Sequence, residues 1–299
     1  MDILPGELLR QIVSLCDFGS IIRLRQISRR LQYCANEVLF EQGKASIGNE
    51  LLKDHESGCF VGREKLRMGK MTSFLRAYMH NLQVLRLADA DCTLTLTNVC
   101  QLSQAVPNLA CLEIIISGQL ALEPDALRGL AMFRNLKELR ISDWSPRMVI
   151  RKGGCYRQES LPPMPKLETL ILESSRDSVT KILTQMRAEG ICLPELRNIE
   201  ISDGLSCPQM PTLIPWVLGT HRKLQSIKME NLLFSSHHDL REFITAILTH
   251  PRLQTITLHQ CNIVEFLHPH DWNRFTQECK LREIKVIGAI SSLRYLPLP

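Results

Sequence analysis

A short phrase of aliphatic residues recurs eight times along this chain. Each copy reads Leu-x-x-[Leu/Ile]-x-[Leu/Ile/Met/Val], and the copies open at Leu82, Leu109, Leu136, Leu167, Leu196, Leu224, Leu253 and Leu281. The steps between openings are 27, 27, 31, 29, 28, 29 and 28 residues. Because a nearly constant period indicates one structural unit copied along an axis, each copy burying its apolar face against the next, this feature constrains the fold more than any other.

Within each phrase, the fourth and sixth residues are apolar while the fifth is mostly polar. This alternation predicts a short strand with one buried face, so the third, fifth and seventh residues are expected on the opposite face. Before several phrases, apolar residues follow at helical spacing and end at Pro or Gly, as do Val99, Leu102 and Val106 before Pro107. Strand and helix together take about 28 residues.

This repeat resembles the leucine-rich repeat, specifically the longer type of the ribonuclease-inhibitor class. The resemblance implies an α/β fold in which residues 81–299 form an arc of about eight parallel strands, with helices on the outside. The family pattern has Asn or Cys shortly after each strand, and here only Leu258-His259-Gln260-Cys261-Asn262 reads that way. Cys261 is therefore expected to serve a turn.

Composition excludes several function classes. The chain has 299 residues, 44% of them hydrophobic, but no continuous apolar run approaches the roughly 18 residues that span a bilayer. Eleven scattered cysteines without a Cys-x-x-Cys pair favour reduced thiols. The start lacks the features of a signal peptide, so we expect a cytoplasmic or nuclear protein without membrane association. No nucleotide, hydrolase or metal motif occurs, which predicts no catalytic residue, cofactor or metal ligand.

Residues 1–42 do not follow the repeat and read as three short helices. Their sequence, Leu4-Pro5-Gly6-Glu7-Leu8-Leu9 continued by Ile12, Leu15 and the run Ile21 to Leu31, resembles an F-box. Ile27-Ser28 fits the Val-Ser position of that family, and Leu31 stands where the family has Trp. An F-box followed by leucine-rich repeats implies a non-catalytic substrate adaptor of a Skp–cullin–F-box ubiquitin ligase.

The resemblance also implies partners and contact residues. The F-box would dock on a Skp-type adaptor, and through it on a cullin, while the repeats hold a protein target for ubiquitylation. The residues implied in the adaptor interface or in the small core of the F-box are Leu4, Pro5, Leu8, Ile12, Leu15, Leu24, Ile27 and Leu31. Residues 43–80 read as a linker over 44–62 and a helix leading into the repeats.

Polar residues of the exposed strand face are the candidates for target binding. These are Arg86, Arg140, Glu200, Lys228, His259 and Lys285. The mixed signs favour a protein or peptide target over a polyphosphate, so nucleic acid is not expected as a partner. The oversized repeat, from Trp144 to Pro165, is rich in Gly, Pro and basic residues and predicts a projecting loop.

Two other functions remain open from the sequence. In the first, the N-terminal helices only cap a leucine-rich-repeat scaffold, since the first end of such an array needs a cover. In the second, which the sequence favours least, the protein associates with nucleic acid through its modest net charge of +5; that charge permits acidic partners but does not by itself indicate nucleic acid.

Overall fold

The computed structural model describes residues 4–16, 18–25, 27–41, 44–47, 60–61, 72–73, 75–77, 79–88, 93–116, 121–143, 160–174, 178–203, 209–234, 236–261 and 269–288. The described residues up to Glu138 form one compact unit, and those from Leu139 onward form a second. Both units combine parallel strands with helices, so the mixed α/β class is confirmed. Among the described helices, none has the length and apolarity needed to cross a bilayer.

The first unit opens with three helices, as the sequence predicts. They are α1 (Gly6–Ser14), α2 (Phe18–Leu24) and α3 (Arg29–Glu41). Pro5 stands immediately before α1, where its missing N–H has little cost because the first helical amides have no partner within the helix. The hydroxyl of Ser28 accepts a hydrogen bond of 3.2 Å from the Leu31 amide, which caps the start of α3.

Residues 72–73 and 75–77 of the first unit are helical, and further strands and helical segments surround them in the sequence. They are β1 (Lys44–Ile47), β2 (Phe60–Val61), β3 (Val84–Ala88), β4 (Thr93–Leu94), α4 (Leu96–Ala105), β5 (Cys111–Ile116), β6 (Ala121–Leu122) and a 3₁₀ helix (Pro124–Met132). Parallel pairing gives the order β2-β1-β3-β5, and β4 pairs with β6. The sequence predicted a linker over 44–62, whereas β1 and β2 lie there and extend the sheet.

The second unit repeats strand and helix. Its elements are β7 (Glu138–Asp143, of which Glu138 belongs to the first unit), β8 (Thr169–Ser174), α5 (Ser178–Ala188), β9 (Asn198–Asp203), α6 (Met210–Thr220), β10 (Ser226–Glu230), α7 (His237–Thr249), β11 (Thr255–His259), α8 (Pro269–Leu281) and β12 (Lys285–Ile287). The strands lie in sequence order from β7 to β12, and β8 to β12 pair in parallel. Leu170, Ile199 and Ile227 are buried, which confirms the predicted inward positions.

One layer of this core precedes each strand. The opening leucines Leu167, Leu196 and Leu224 are fully buried. The residue three positions earlier is also buried; in successive repeats of the second unit it is Met164, Leu193, His221 and His250. Two histidines therefore occupy a position that otherwise holds an apolar side chain.

These two histidines hydrogen-bond to backbone groups. His221 Nδ1 lies 2.9 Å from the Val217 carbonyl oxygen, and His250 Nε2 lies 3.1 Å from the His221 carbonyl oxygen. The Arg252 amide donates to His250 Nδ1 at 3.2 Å, so the proton of a neutral His250 ring resides on Nε2. Burial lowers the pKa of both imidazoles, and the charge of Arg222 lowers the pKa of His250 further.

The prediction that the eighth phrase opens a repeat was wrong. Leu281 does not open a repeat: it ends α8 and its side chain is 80% exposed. Thr255 pairs with Lys285, so the last repeat is 30 residues long and Glu283 stands in the opening position, with φ of 60°. Lys285 consequently lies in the row of third-position residues, not in the fifth-position row.

Two sequence predictions concern irregular segments: the turn at Cys261 and the loop that begins at Trp144. Cys261 is buried and its thiol lies 3.3 Å from the His259 carbonyl oxygen, while burial raises its pKa to about 11. It thus acts as a protonated, weak donor within a turn. The predicted loop from Trp144 falls largely outside the described residues, and its described end, residues 160–165, includes buried Leu161 and Met164, so this part does not project.

Candidate functional site

Four apolar residues at the start of the chain remain exposed after helices α1, α2 and α3 have packed. Leu4, Leu8, Ile12 and Leu15 are 38%, 45%, 49% and 88% exposed, respectively. Leu8, Ile12 and Leu15 are spaced by four and three residues, which places them on one side of α1 and its C-terminal continuation. We call Leu4, Leu8, Ile12 and Leu15 the α1 stripe.

A different side of α1 packs into the core of the helical segment, by which we mean helices α1 to α3. Leu9 and Val13 are buried on α1, and Leu31, Cys34, Ala35 and Val38 are buried on α3. The Arg30 guanidinium donates to the Leu4 carbonyl oxygen, and the Cys34 thiol lies 4.0 Å from the Gly6 carbonyl oxygen. These contacts hold α1 on α3, which leaves the α1 stripe facing away from this core.

The structure divides the eight residues predicted for adaptor contact or the F-box core. Pro5 and Ile27 are exposed together with the α1 stripe, and Leu24 is half-buried. Leu31 is only 5% exposed and packs in the core of the helical segment, which is one of the two roles that the resemblance implies for it. Tyr33 on α3, an aromatic residue for which the sequence predicted no contact, is also 66% exposed.

Three of the six predicted target contacts are cations with carboxylate partners on a neighbouring strand. In the first unit, Arg86 Nε on β3 lies 3.2 Å from Glu113 Oε2 on β5, its partner in the sheet register. In the second unit, Arg140 Nη2 on β7 lies 2.9 and 3.1 Å from the two carboxylate oxygens of Glu173 on β8. Ser142 also donates to Glu173, at 2.7 Å.

Lys228 on β10 lies between two carboxylates. Its Nζ is 3.4 Å from Glu200 on β9 and 3.2 Å from Glu230 on its own strand. Burial by itself would lower the pKa of Lys228, but the carboxylates of Glu230 and Glu200 outweigh it and raise the pKa. Ser202 donates to Glu230 at 3.2 Å. The predicted contacts Glu200 and Lys228 therefore interact with each other.

The last two predicted target contacts lie near the end of the sheet. His259 on β11 and Lys285 on β12 are both exposed. His259 pairs in register with Glu230, and Lys285 with Thr255. The six predicted residues are thus not one cluster. Arg86 belongs to the first unit, and the other five are spread over β7, β9, β10, β11 and β12.

Among the described residues, no three His, Cys, Asp or Glu side chains lie close enough together to hold a metal ion. The arrangement can instead bury apolar side chains of a partner on the α1 stripe. It can also offer hydrogen-bonding groups on the strand face.

Comparison with known protein families supports the resemblance found in the N-terminal helices. Residues 1–42 match the family model described as the F-box domain. A comparison with curated proteins finds no match. The F-box domain covers the three helices and the whole α1 stripe, so the exposed apolar side chains belong to a module whose family binds Skp-type adaptors.

Proposed function

We propose that this protein is a non-catalytic substrate-recognition subunit of a Skp–cullin–F-box ubiquitin ligase. The observation that carries the proposal is the α1 stripe, because it exposes four apolar side chains within a matched F-box domain. Exposed apolar side chains that cluster on one surface are typical of protein-docking sites. A Skp-type adaptor covers the α1 stripe, Pro5 and Ile27, and links the chain to a cullin.

The strand-and-helix repeats are proposed to be leucine-rich repeats that bind the target. The regular period, the buried opening leucines and the parallel strands support this identity, as do the helices that end before β9, β10, β11 and β12. In the proposed arrangement, an arc of the ribonuclease-inhibitor type presents its strand face, including Glu200, Lys228 and His259, to a protein target in the cytoplasm or nucleus.

The test of adaptor docking uses purified full-length chain and a Skp-type adaptor. We expect one binary complex at micromolar concentration in size-exclusion chromatography, and loss of that complex in the Leu8→Glu/Ile12→Glu variant. Leu96→Glu on α4 is the matched control, because Leu96 is 42% exposed but lies outside the F-box domain. Absence of a complex with the unsubstituted chain would overturn the proposed function.

One observation favours a second candidate, a repeat scaffold whose N-terminal helices serve only as a cap. Helix α2 lies against β2, at the outer edge of the first unit's sheet. Deletion of residues 1–42 separates the two functions. A cap predicts that the shortened chain becomes insoluble, whereas a docking module predicts a soluble chain that no longer binds the adaptor.

A further inference from the structure

The positions just before the strands of the second unit form a register-aligned row. Three residues before β10, β11 and β12 stand Lys223, Arg252 and Arg282. The backbone continues this alignment: the Gln254 amide donates to the Gln225 carbonyl oxygen at 2.8 Å, and the Lys285 amide donates to Gln254 at 2.7 Å. Because the strands are parallel, all three cations lie on the same side of the sheet, namely the edge formed by the N-terminal ends of the strands.

Other basic residues lie beside this row. Arg222 precedes Lys223, Lys280 lies in the last turn of α8, and Lys285 is the first residue of β12. All of these side chains are exposed except that of Lys223, which is half-exposed. We call the six residues the basic edge: Arg222, Lys223, Arg252, Lys280, Arg282 and Lys285.

Acidic side chains neutralise only part of the basic edge. Glu195 lies 2.5 Å from Lys223 and is the acidic member of the same row, and Glu283 adds one further carboxylate. Glu278 on α8, one helical turn before Arg282, also lies nearby and interacts with Arg274. Among the described residues, six basic side chains against three acidic ones leave an excess of three positive charges. The strand face of this unit differs, because Arg140 and Lys228 already interact there with carboxylates. Uncompensated positive charge on an exposed surface favours an anionic partner.

We propose that the basic edge binds a short acidic segment of a protein, through carboxylate or phosphate side chains. This inference rests on the proposed function, since the protein bound there is the target that the repeats recognise. The side chains of Arg222, Arg252 and Lys285 carry the contact. Arg282 contributes less, because its guanidinium also donates to the Leu248 carbonyl oxygen.

The length of the basic edge sets the length of the acidic segment. The three strands β10 to β12 span about 10 Å, since neighbouring strands are about 4.8 Å apart. In an extended segment, side chains on one side recur about every 7 Å. Two or three acidic side chains therefore match the edge. A nucleic acid is less well matched, because the row changes sign at Glu195 and single-strand recognition relies on stacking aromatics.

The test measures binding of fluorescent peptides to the full-length chain. One peptide alternates glutamate with glycine, a second replaces glutamate with phosphoserine, and a third replaces it with glutamine. Single-stranded oligothymidylate is the nucleic-acid probe. The test variant is Arg222→Gln/Arg252→Gln/Lys285→Gln, and the control variant Arg134→Gln/Arg187→Gln/Arg241→Gln removes the same charge from exposed positions elsewhere.

We expect the glutamate or phosphoserine peptide to bind the unsubstituted and control proteins. The test variant should bind that peptide roughly tenfold or more weakly, because it loses three exposed ion pairs that each contribute a small amount to the affinity. The tighter of the two peptides identifies carboxylate or phosphate as the source. Equal binding by the two variants would overturn the proposal. So would no binding of either acidic peptide at millimolar concentration, or tighter binding of oligothymidylate than of both.

A parallel measurement separates this inference from the proposed function. The same preparations are mixed with a Skp-type adaptor, which is expected to bind all three proteins alike, because the basic edge and residues 1–42 belong to different units. If the adaptor binds while the acidic peptides do not, only the basic edge is refuted. If the unsubstituted chain fails to bind the adaptor, the proposed function falls regardless of the peptide result.

Discussion

Two neighbouring residues of α1 are expected to respond in opposite ways to the same truncation. Ile12 belongs to the α1 stripe and is 49% exposed, whereas Val13 is fully buried. Full burial of an aliphatic side chain stabilises by about 1.5–3 kcal/mol. Because docking can remove only the exposed half of Ile12 from water, Ile12→Ala should weaken adaptor binding by ~0.7–1.5 kcal/mol, or about three- to thirteenfold.

Val13→Ala should act on folding instead. Removing two buried methyl groups costs about 1.6 kcal/mol by transfer, and the cavity left behind adds to that cost. We therefore expect ~2 kcal/mol of lost stability from Val13→Ala, but less than about 1 kcal/mol from Ile12→Ala, in urea unfolding followed by circular dichroism. Calorimetric titration with a Skp-type adaptor gives the binding change at a temperature where both variants are folded.

The two assays together decide the argument. If Ile12→Ala binds the adaptor as tightly as the unsubstituted chain, the α1 stripe is not at the interface. If Ile12→Ala destabilises the fold as much as Val13→Ala does, the division between a buried and a docking side of α1 is wrong. Both outcomes are visible because the substitutions are adjacent and each removes part of one aliphatic side chain.

Two further predictions concern stability. Burial lowers the pKa of His221 and His250, so on acidification the unfolded chain takes up protons at these residues before the folded chain does. The free energy of unfolding should therefore fall as the pH drops below about 6.5. In thermal melts from about pH 8 to about pH 4, the melting temperature of His221→Leu should fall less than that of the unsubstituted chain. An equal slope in the variant would refute the role of that imidazole. Gly288→Ala should destabilise more than Gly190→Ala in urea unfolding: both glycines have positive φ, of 141° and 66°, but only at Gly288 would the added Cβ overlap the Leu258 carbonyl oxygen. Equal losses would show that the backbone yields there.

The periodic pattern predicted most of the repeat, because burial follows the alternation of apolar residues. Leu170, Ile199 and Ile227 lie inside as expected. Leu281 shows the limit of the pattern. A leucine that ends a helix and a leucine that opens a strand satisfy the same phrase, and only the pairing of Thr255 with Lys285 distinguishes them. Strand β1 was missed for a related reason: it contains no leucine and lies in a segment rich in Gly, Ser and charge.

The candidate docking surface was predicted in part for a physical reason. An apolar residue of a short helical domain can serve the domain's core or a partner, and the sequence does not reveal which side of α1 faces α3. Packing against α3 places Leu9 and Val13 inside and leaves Leu8 and Ile12 exposed. Leu31 stands where the family has Trp, and it is buried, so the aliphatic side chain serves the core at this position.

The ion pairs of the strand face change the meaning of the predicted target contacts. A cation that already touches a carboxylate must give up or share that contact before it binds a target, so its net contribution to affinity is small. Arg140 is the clearest case, because it contacts both oxygens of Glu173, which also accepts from Ser142. On the strand face, target affinity should therefore depend on hydrogen bonds and shape and vary little with salt. At the basic edge, where positive charge exceeds negative charge, it should fall steeply as salt increases.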